Sequence, residues 1–239
     1  MSDARLLSKL ESRLIPQGLT FLACADLAAL PSSTRHGLPV GICLGVRLDP
    51  RIISQISEGP TREYAAQYRN VNRLLNQLAQ SCSRFLRDHG FRAAAAEASG
   101  YIPDNSDLST PLPHKTVATR AGVGWIGKCA LLVTESYGSA VRYNTVLTDA
   151  PLPLGAPVDA SNCGECAACV EACPACAPSG AQWRPSLARD EFFDAYSCRR
   201  MARAQSASLG IDHPICGICI AACPHTQRYL TSSSETSAS

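Results

Sequence analysis

This sequence predicts an α+β fold in two parts, and three observations predict it. Apolar residues recur at helical spacing in two stretches, short apolar runs bounded by Pro and Gly accompany them, and most cysteines gather in the last third. Leu6, Leu7, Leu10 and Leu14 open the chain at helical spacing, and Pro16-Gln17-Gly18 breaks that pattern. Leu19 to Leu27 and Val40 to Leu48 are short runs that suit buried strands. From about Thr61 to His89 the positions Tyr64, Tyr68, Val71, Leu74, Leu75, Leu78, Cys82, Phe85 and Leu86 trace one long helix, closed by Gly90. Ser99 to Pro113 reads as a polar loop of functional length. Ala130 to Thr134 and Ala140 to Leu147 read as two strands of a hairpin across Glu135 to Ser139. The proline-rich stretch Ala150 to Pro157 reads as a linker, which divides the chain into residues 1–155, residues 156–230 and a polar tail, 231–239, expected to be disordered.

The chain has 239 residues and a formal charge of +2, with no run of like charge that would mark a nucleic-acid arm or a polybasic membrane patch. The N-terminal apolar positions are interrupted by Lys9, Glu11 and Arg13, so no signal peptide is expected, and no apolar stretch reaches membrane-spanning length. A cytoplasmic protein is the expectation. There thiols stay reduced, so 13 cysteines point to metal and not to a disulfide framework. Cys24, Cys43, Cys82 and Cys129 stand among apolar neighbours and read as small core residues; all the others lie between Cys163 and Cys223.

Within that region, Cys163-x2-Cys166-x2-Cys169-x3-Cys173-Pro174 is the bacterial ferredoxin run, in which three close thiolates wrap one [4Fe-4S] cubane and the fourth serves a second cluster. Cys216-x2-Cys219-x3-Cys223-Pro224 is a shorter copy. Structural zinc uses two separated cysteine pairs instead of a triplet with a trailing Cys-Pro. The crossed rule assigns Cys163, Cys166, Cys169 and Cys223 to one cluster, and Cys173, Cys216 and Cys219 to the other. The missing ligand is sought among His213, Cys176 and Cys198. Cys198 is favoured because a connecting helix between the motifs could return it, whereas Cys176 sits too near Cys173.

Gly122-Val-Gly124-Trp125-Ile-Gly127-Lys128-Cys129 matches both the dinucleotide fingerprint and most of a P-loop. Both motifs need a strand before and a helix after, so that a helix N-terminus faces the phosphates. His114 to Arg120 is not an apolar strand and Ala130 to Thr134 is not a helix, so nucleotide binding is not expected. The glycines instead allow close approach of a bulky ligand or another segment.

His114-Lys115-Thr-Val-Ala-Thr-Arg120-Ala-Gly122-Val-Gly-Trp125-Ile-Gly127-Lys128, then Leu147-Thr-Asp149-Ala-Pro-Leu-Pro153, then the two cysteine motifs, together resemble epoxyqueuosine reductase. The resemblance implies a nitroreductase-like N-terminal domain holding base-off cobalamin beside a two-cluster ferredoxin-like domain. It also implies kinship with reductive dehalogenases, and Cys198 as the last ligand of the second cluster. An external low-potential donor, such as flavodoxin or ferredoxin, would then reduce the clusters one electron at a time, and cobalt would reduce the substrate. In that family a loop aspartate before the Ala-Gly-x-Gly-Trp segment is the general acid. Asp107 is the nearest match, with Tyr101, Asp104 and His114 as alternatives. Lys115, Lys128 and Arg142 are candidates for the corrinoid's amides or phosphate, and Gly122, Gly124, Trp125 and Gly127 for its cavity wall. Longer family members continue past the second cysteine motif into a helical-repeat extension associated with tRNA. A modified tRNA base and a small molecule therefore both stand as substrates. The competing reading is an electron carrier or corrinoid-activating protein without its own cobalamin.

Overall fold

The structure is a computed structural model, and it describes residues 3–99 and 107–236. In chain order its elements are α1 Ala4–Leu14, β1 Phe21–Asp26, β2 Val40–Arg47, α2 Pro50–Ile53, α3 Arg62–Asp88, β3 Ala93–Ala95, α4 His114–Arg120, β4 Trp125–Ile126, β5 Leu132–Val133, β6 Val141–Thr148, α5 Ala168–Glu171, α6 Arg189–Phe192, α7 Ala195–Ser208, α8 Ile218–Ala222 and α9 Pro224–Thr236. They form two compact units that interleave along the chain. The first comprises Met1–Val46, Asn70–Val123 and Arg142–Val158; the second comprises Arg47–Arg69, Gly124–Val141 and Asp159–Ser239.

The first unit is built on a four-stranded sheet of order β1-β2-β6-β3. β1 and β2 are antiparallel with Cys24 opposite Ile42, and β3 and β6 are antiparallel with Ala94 opposite Leu147. Val40 through Val46 are all buried, as expected of an inner strand covered on both faces. Helix α1 starts where the Asp3 carboxylate accepts from the backbone N–H groups of Arg5 and Leu6, which satisfies two donors the helix itself cannot. Its Leu6, Leu10 and Leu14 join Leu75, Leu78, Cys82 and Leu86 of α3, and Ile42 and Leu44 of β2, in one core. Truncating a side chain such as Leu10, fully buried here, costs about 2–5 kcal/mol in comparable cores. Cys24, Cys43 and Cys82 are buried in this unit, and burial pushes the thiols of Cys24 and Cys43 up to about 12, so they stay neutral packing groups.

Two expectations are corrected. β5 and β6 do not form a hairpin: β5 pairs with β4, Trp125 opposite Val133, while β6 lies between β2 and β3 in the sheet. Locally the connection is closed by a bridge between Thr134 and Gly138 and by the Ala140 N–H, which donates to the Tyr137 carbonyl. The polar tail is helical as far as Thr236, where α9 ends; Thr231 donates through its hydroxyl to the Gln227 carbonyl, and Ser232 and Ser233 to that of Tyr229. Such back-bonding lets Ser and Thr ride a helix that packing already holds. Residues 150–158 are extended along the first unit, with Leu152 in its core, the Gly155 N–H donating to the Cys24 carbonyl and the Val158 N–H to that of Thr119. Among the described residues no helix is long and apolar enough to cross a membrane.

Candidate metal centre

The thiols of the second unit's metal region stand on or beside short local elements. Cys169 lies on α5 and Cys219 on α8, two short helices that pack against each other. Cys173 and Cys223 follow directly and each precedes a proline, which disfavours helical backbone at the preceding residue and turns the chain. Between the motifs, the Asp194 carboxylate accepts from the N–H groups of Tyr196 and Ser197 and so starts α7, which carries Cys198 in its first turn. The Ser197 hydroxyl also donates to Asp194 and holds that carboxyl below its usual range.

Exposure sorts the cysteines. Cys163, Cys166, Cys169, Cys173, Cys198, Cys216, Cys219 and Cys223 are all half-buried, Cys176 is exposed, and Cys24, Cys43, Cys82 and Cys129 are buried. Electrostatic contact sorts them further. Cys198 lies close enough to Cys173 and Cys216 for their charges to raise its thiol, with burial the larger cause, to about 11. Cys216 likewise senses Cys173, and Cys223 senses Cys163. Crowded thiols resist ionisation, and a bound cation offsets that cost by holding them as thiolates. His213 is instead exposed, its ring 5.8 Å from that of Tyr68. Among the described residues no three His, Cys, Asp or Glu side chains gather closely enough for one metal ion. The soft donor set is all half-buried thiol, with Cys198 near Cys173 and Cys216 and Cys223 near Cys163 across the motifs, and its chemistry fits iron–sulfur clusters.

The glycine-rich segment follows α4 and leads into β4 and β5, so it lacks the strand-then-helix context of a phosphate loop. In the second unit, a Cβ on Gly124 would stand 2.1 Å from the Val133 carbonyl oxygen, and one on Gly127 2.9 Å from Val133 Cγ2 and 3.6 Å from Cys163 Sγ. In the first unit, Gly122, at φ +75°, has the Ala156 carbonyl where a Cβ would be. Each of these glycines admits a neighbouring segment of this chain. Trp125 is buried, its ring edge-on to His225 at 4.9 Å, and its indole N–H has no hydrogen-bond partner. Lys128 is buried, and its charge acts on Cys169.

Of the residues expected to act in catalysis, Tyr101 and Asp104 lie outside the described residues. The Asp107 carboxylate accepts from the Ser109 N–H and hydroxyl, closing a local turn. His114 heads α4 in the first unit. Its Nε2 is 2.9 Å from the Glu97 carbonyl, to which it donates, leaving Nδ1 to accept from the Thr145 hydroxyl at 2.9 Å. Burial, the larger cause, and the Arg142 charge hold its pKa below the ordinary 6.5, against the opposing Glu97 hydrogen bond. The unfolded chain therefore takes up this proton first, and the contribution of His114 to stability is full above about pH 6.5 and declines as pH falls below it. In denaturant unfolding at pH 7.5 and pH 5.5, His114→Gln should show a smaller loss on acidification than the wild type. At the higher pH it should be about 1–2 kcal/mol less stable, from hydrogen bonds lost. Arg142 donates through Nε to the Asn72 side chain at 3.0 Å, and Lys115 stands half-buried in the first turn of α4.

A cavity of about 1360 Å³ opens in the second unit, lined by Arg47, Asp49, Gln67, Tyr137, Gln227 and Tyr229 among others. None of the residues expected to hold a cofactor lines it. It is tied to the cysteines through α9. Cys223, just before the helix, and the cavity residues Gln227 and Tyr229 are four and six positions apart, roughly 6–9 Å of rise. The Tyr229 hydroxyl donates to the Leu48 carbonyl, and its ring meets that of Tyr137 edge-on. The cavity lining is what sequence reasoning missed. The lining comes from distant segments with no shared motif.

No family model matches the chain. Against curated proteins, it is 30% identical over 132 residues to the epoxyqueuosine reductase of Pseudomonas aeruginosa, covering 52% of this chain and 33% of the relative. It is 31% identical over 133 residues to that of Synechococcus, covering 53% and 39%. This chain resembles the epoxyqueuosine reductases. It spans about a third of the length of these curated relatives. Solved structures carry the likeness of fold over more of the chain. The epoxyqueuosine reductase of Bacillus subtilis aligns at TM-score 0.62 and 17% identity, over 93% of this chain and 66% of that one. An epoxyqueuosine reductase in complex with an epoxyqueuosine-modified tRNA stem loop aligns at 0.61 and 18%, over the same shares. A catabolic reductive dehalogenase aligns at 0.69 and 15%, over 91% and 31%. The mixed α/β architecture is thus shared by epoxyqueuosine reductases and reductive dehalogenases.

Proposed function

We propose that this chain is an iron–sulfur reductase of the epoxyqueuosine reductase kind. In it, two [4Fe-4S] clusters, held by Cys163, Cys166, Cys169 and Cys223 and by Cys173, Cys198, Cys216 and Cys219, relay single electrons toward a bound substrate. The observation that carries the reading is the grouping of Cys198 with Cys173 and Cys216. The crossed rule assigns Cys173 and Cys216, far apart in sequence, to one cluster, and their proximity to Cys198 supports the reading. In domain terms, the reading is a nitroreductase-like N-terminal part, residues 1–155, and a ferredoxin-like part, residues 156–230. A low-potential donor, flavodoxin or ferredoxin, would supply the electrons in a cytoplasmic setting.

The likeness further implies cobalamin, which when bound supplies a low-potential metal able to deliver electrons to carbon. The cavity beside α9 exceeds the usual range for small-ligand pockets and has room for so large a group. There Arg47 and Gln67 would meet its amides or phosphate, and Tyr137 and Tyr229 its apolar faces. Lys115 and Arg142 remain candidates in the first unit, with Asp107, Tyr101 or His114 to hold the proton that a departing oxygen needs. A modified tRNA base is the substrate that the stem-loop complex of the relative supports.

One observation favours a second reading, a carrier or activating protein without its own cobalamin. At Gly122, Gly124 and Gly127 the space a Cβ would take is filled by the chain itself. Anaerobic purification with cluster reconstitution, followed by cobalamin addition and assay of retained cobalt against iron, decides between them. About eight irons with one cobalt per chain supports the reductase; the same iron without cobalt leaves the carrier; absence of iron ends both.

A further inference from the structure

Helix α7 presents two faces of different chemistry. Cys198, Ala202 and Ser206 recur every four residues on its inner face, where Ala202 and Ser206 are buried and Cys198 is half-buried. Hydrogen bonds pin the helix between the cysteine motifs. At its cap the Asp194 N–H donates at 2.8 Å to the carbonyl of Ala177, just past Cys173 and Cys176. In its last turn the Ser206 hydroxyl donates to the Ile215 carbonyl at 3.0 Å and accepts from the Ile215 N–H at 3.2 Å, directly before Cys216. Tyr196, Arg200, Arg203 and Ala207 follow the spacing of the opposite face, and all are exposed. At 45% exposure, Tyr196 is the one large apolar side chain left open in the second unit among the described residues. The helix itself holds no acidic residue. Arg200 donates through Nη2 to the Ser197 hydroxyl at 2.8 Å, which fixes its guanidinium along the first turn. The acids that precede the helix are engaged locally. Asp190 pairs with Arg189 at 2.8 Å, Glu191 accepts from the Ala188 N–H at 2.7 Å, and Asp194 accepts from the N–H groups of Tyr196 and Ser197. The outer face is therefore basic and aromatic, on a helix whose inner face carries a proposed cluster ligand.

We propose that the outer face of α7, with Tyr196, Arg200 and Arg203, is the docking surface for an acidic one-electron carrier protein, and that electrons enter at the cluster held by Cys173, Cys198, Cys216 and Cys219. The inference rests on the two-cluster reading. Each transfer oxidises the reduced carrier by one electron and reduces the cluster by one, with no bond broken and no proton moved. A carrier seated on the outer face stands about one helix width, roughly 10–12 Å, from the inner face that bears Cys198. Electron-transfer encounters bury small interfaces, and Tyr and Arg are the side chains that most often anchor an interface. Exposed arginines on a helix without an acid attract a negatively charged carrier, and such steering raises encounter rates by about 10-fold to 1000-fold. Placement on a ligand-bearing helix favours a redox partner over a nucleic acid, which gains nothing from a nearby cluster.

The test mixes the reconstituted full chain anaerobically with reduced flavodoxin as the probe and follows cluster reduction by stopped flow at low and high salt. Iron is assayed in parallel, and dithionite, which needs no docking surface, reports by EPR whether the clusters can be reduced. The wild-type rate should fall as salt rises, because screening shortens the reach of the arginines. Arg200→Glu combined with Arg203→Glu should keep about eight irons per chain and full reduction by dithionite. Its rate with flavodoxin at low salt should drop at least about tenfold and lose its salt dependence. Tyr196→Ser should slow the reaction while the salt dependence stays. Should the double variant lose iron, Arg203→Glu alone, clear of the Arg200 to Ser197 hydrogen bond, gives the same reading. An unchanged rate in a variant with full iron overturns the inference, and loss of tRNA stem-loop binding by that variant would reassign the face to nucleic acid. Wild-type clusters that dithionite reduces and flavodoxin does not overturn it also. A wild-type chain that takes up no iron ends the two-cluster reading itself.

Discussion

Cys198→Ala, reconstituted anaerobically, should retain about four irons per chain in place of about eight, the largest change expected of any single cysteine outside the two motifs. Cys198 is half-buried on α7 and sits against Cys173 and Cys216, which in the proposed set share its cluster. Removing it leaves a cubane with three thiolates in a site whose thiols already crowd one another. Cys176 is poorly placed to substitute: it is exposed, three residues from Cys173, in a left-handed turn at φ +46°. Cys176→Ala should therefore keep full iron, and so should His213→Ala. The signal that survives in Cys198→Ala should be that of the cluster held by Cys163, Cys166, Cys169 and Cys223, so Cys223→Ala should leave the other one. Full iron in Cys198→Ala together with half in Cys176→Ala would exchange the two residues' roles and break the crossed assignment.

The metal region was legible because cluster ligation is written locally. Three thiolates at x2 spacing and a trailing Cys-Pro identify the run without knowledge of the rest of the chain. The helices of the first unit were legible for the same reason: the Leu6, Leu10, Leu14 stripe and the Leu75, Leu78, Cys82, Leu86 part of the α3 stripe fix one face each, and both are in the core. What sequence did not show is non-local. Ala130 to Thr134 and Ala140 to Leu147 both have strand-like composition, but their partners depend on segments far away. β5 is only Leu132–Val133 and finds β4, while β6 joins β2 and β3. Proximity along the chain suggested a hairpin, and sheet order overrode it. The tail was misread because its composition is that of solvated chain, while the Ser and Thr hydroxyls bond back to the carbonyls of α9.

Gly124→Ala should be among the most damaging substitutions of a residue that carries no side chain at all. The added Cβ would stand 2.1 Å from the Val133 carbonyl oxygen and 3.2 Å from the Thr134 Cα, both backbone atoms that cannot rotate aside. Relief requires β4 or β5 to move, and β4 begins at the next residue, Trp125, opposite Val133. Trp125 is packed edge-on to His225, just beyond Cys223, and the turn that follows begins at Gly127, where an added Cβ would stand 3.6 Å from Cys163 Sγ. A shift there reaches the metal centre from two sides. Overpacking of this kind costs about 1–3 kcal/mol, occasionally more. Against a total stability of about 5–15 kcal/mol, the upper end would lower the unfolding midpoint clearly and reduce retained iron with it. Gly210→Ala provides the comparison. It has a left-handed φ of +67° but nothing within 4 Å of its added Cβ, so it should cost only about 1–2 kcal/mol and keep its iron. Thermal unfolding and iron assay of the two variants side by side separate two accounts of the glycine-rich segment. If Gly124→Ala keeps wild-type stability and full iron but loses retained cobalt, the glycine serves a ligand and the packing account is wrong. If stability and iron fall together, the missing side chain makes room for β5.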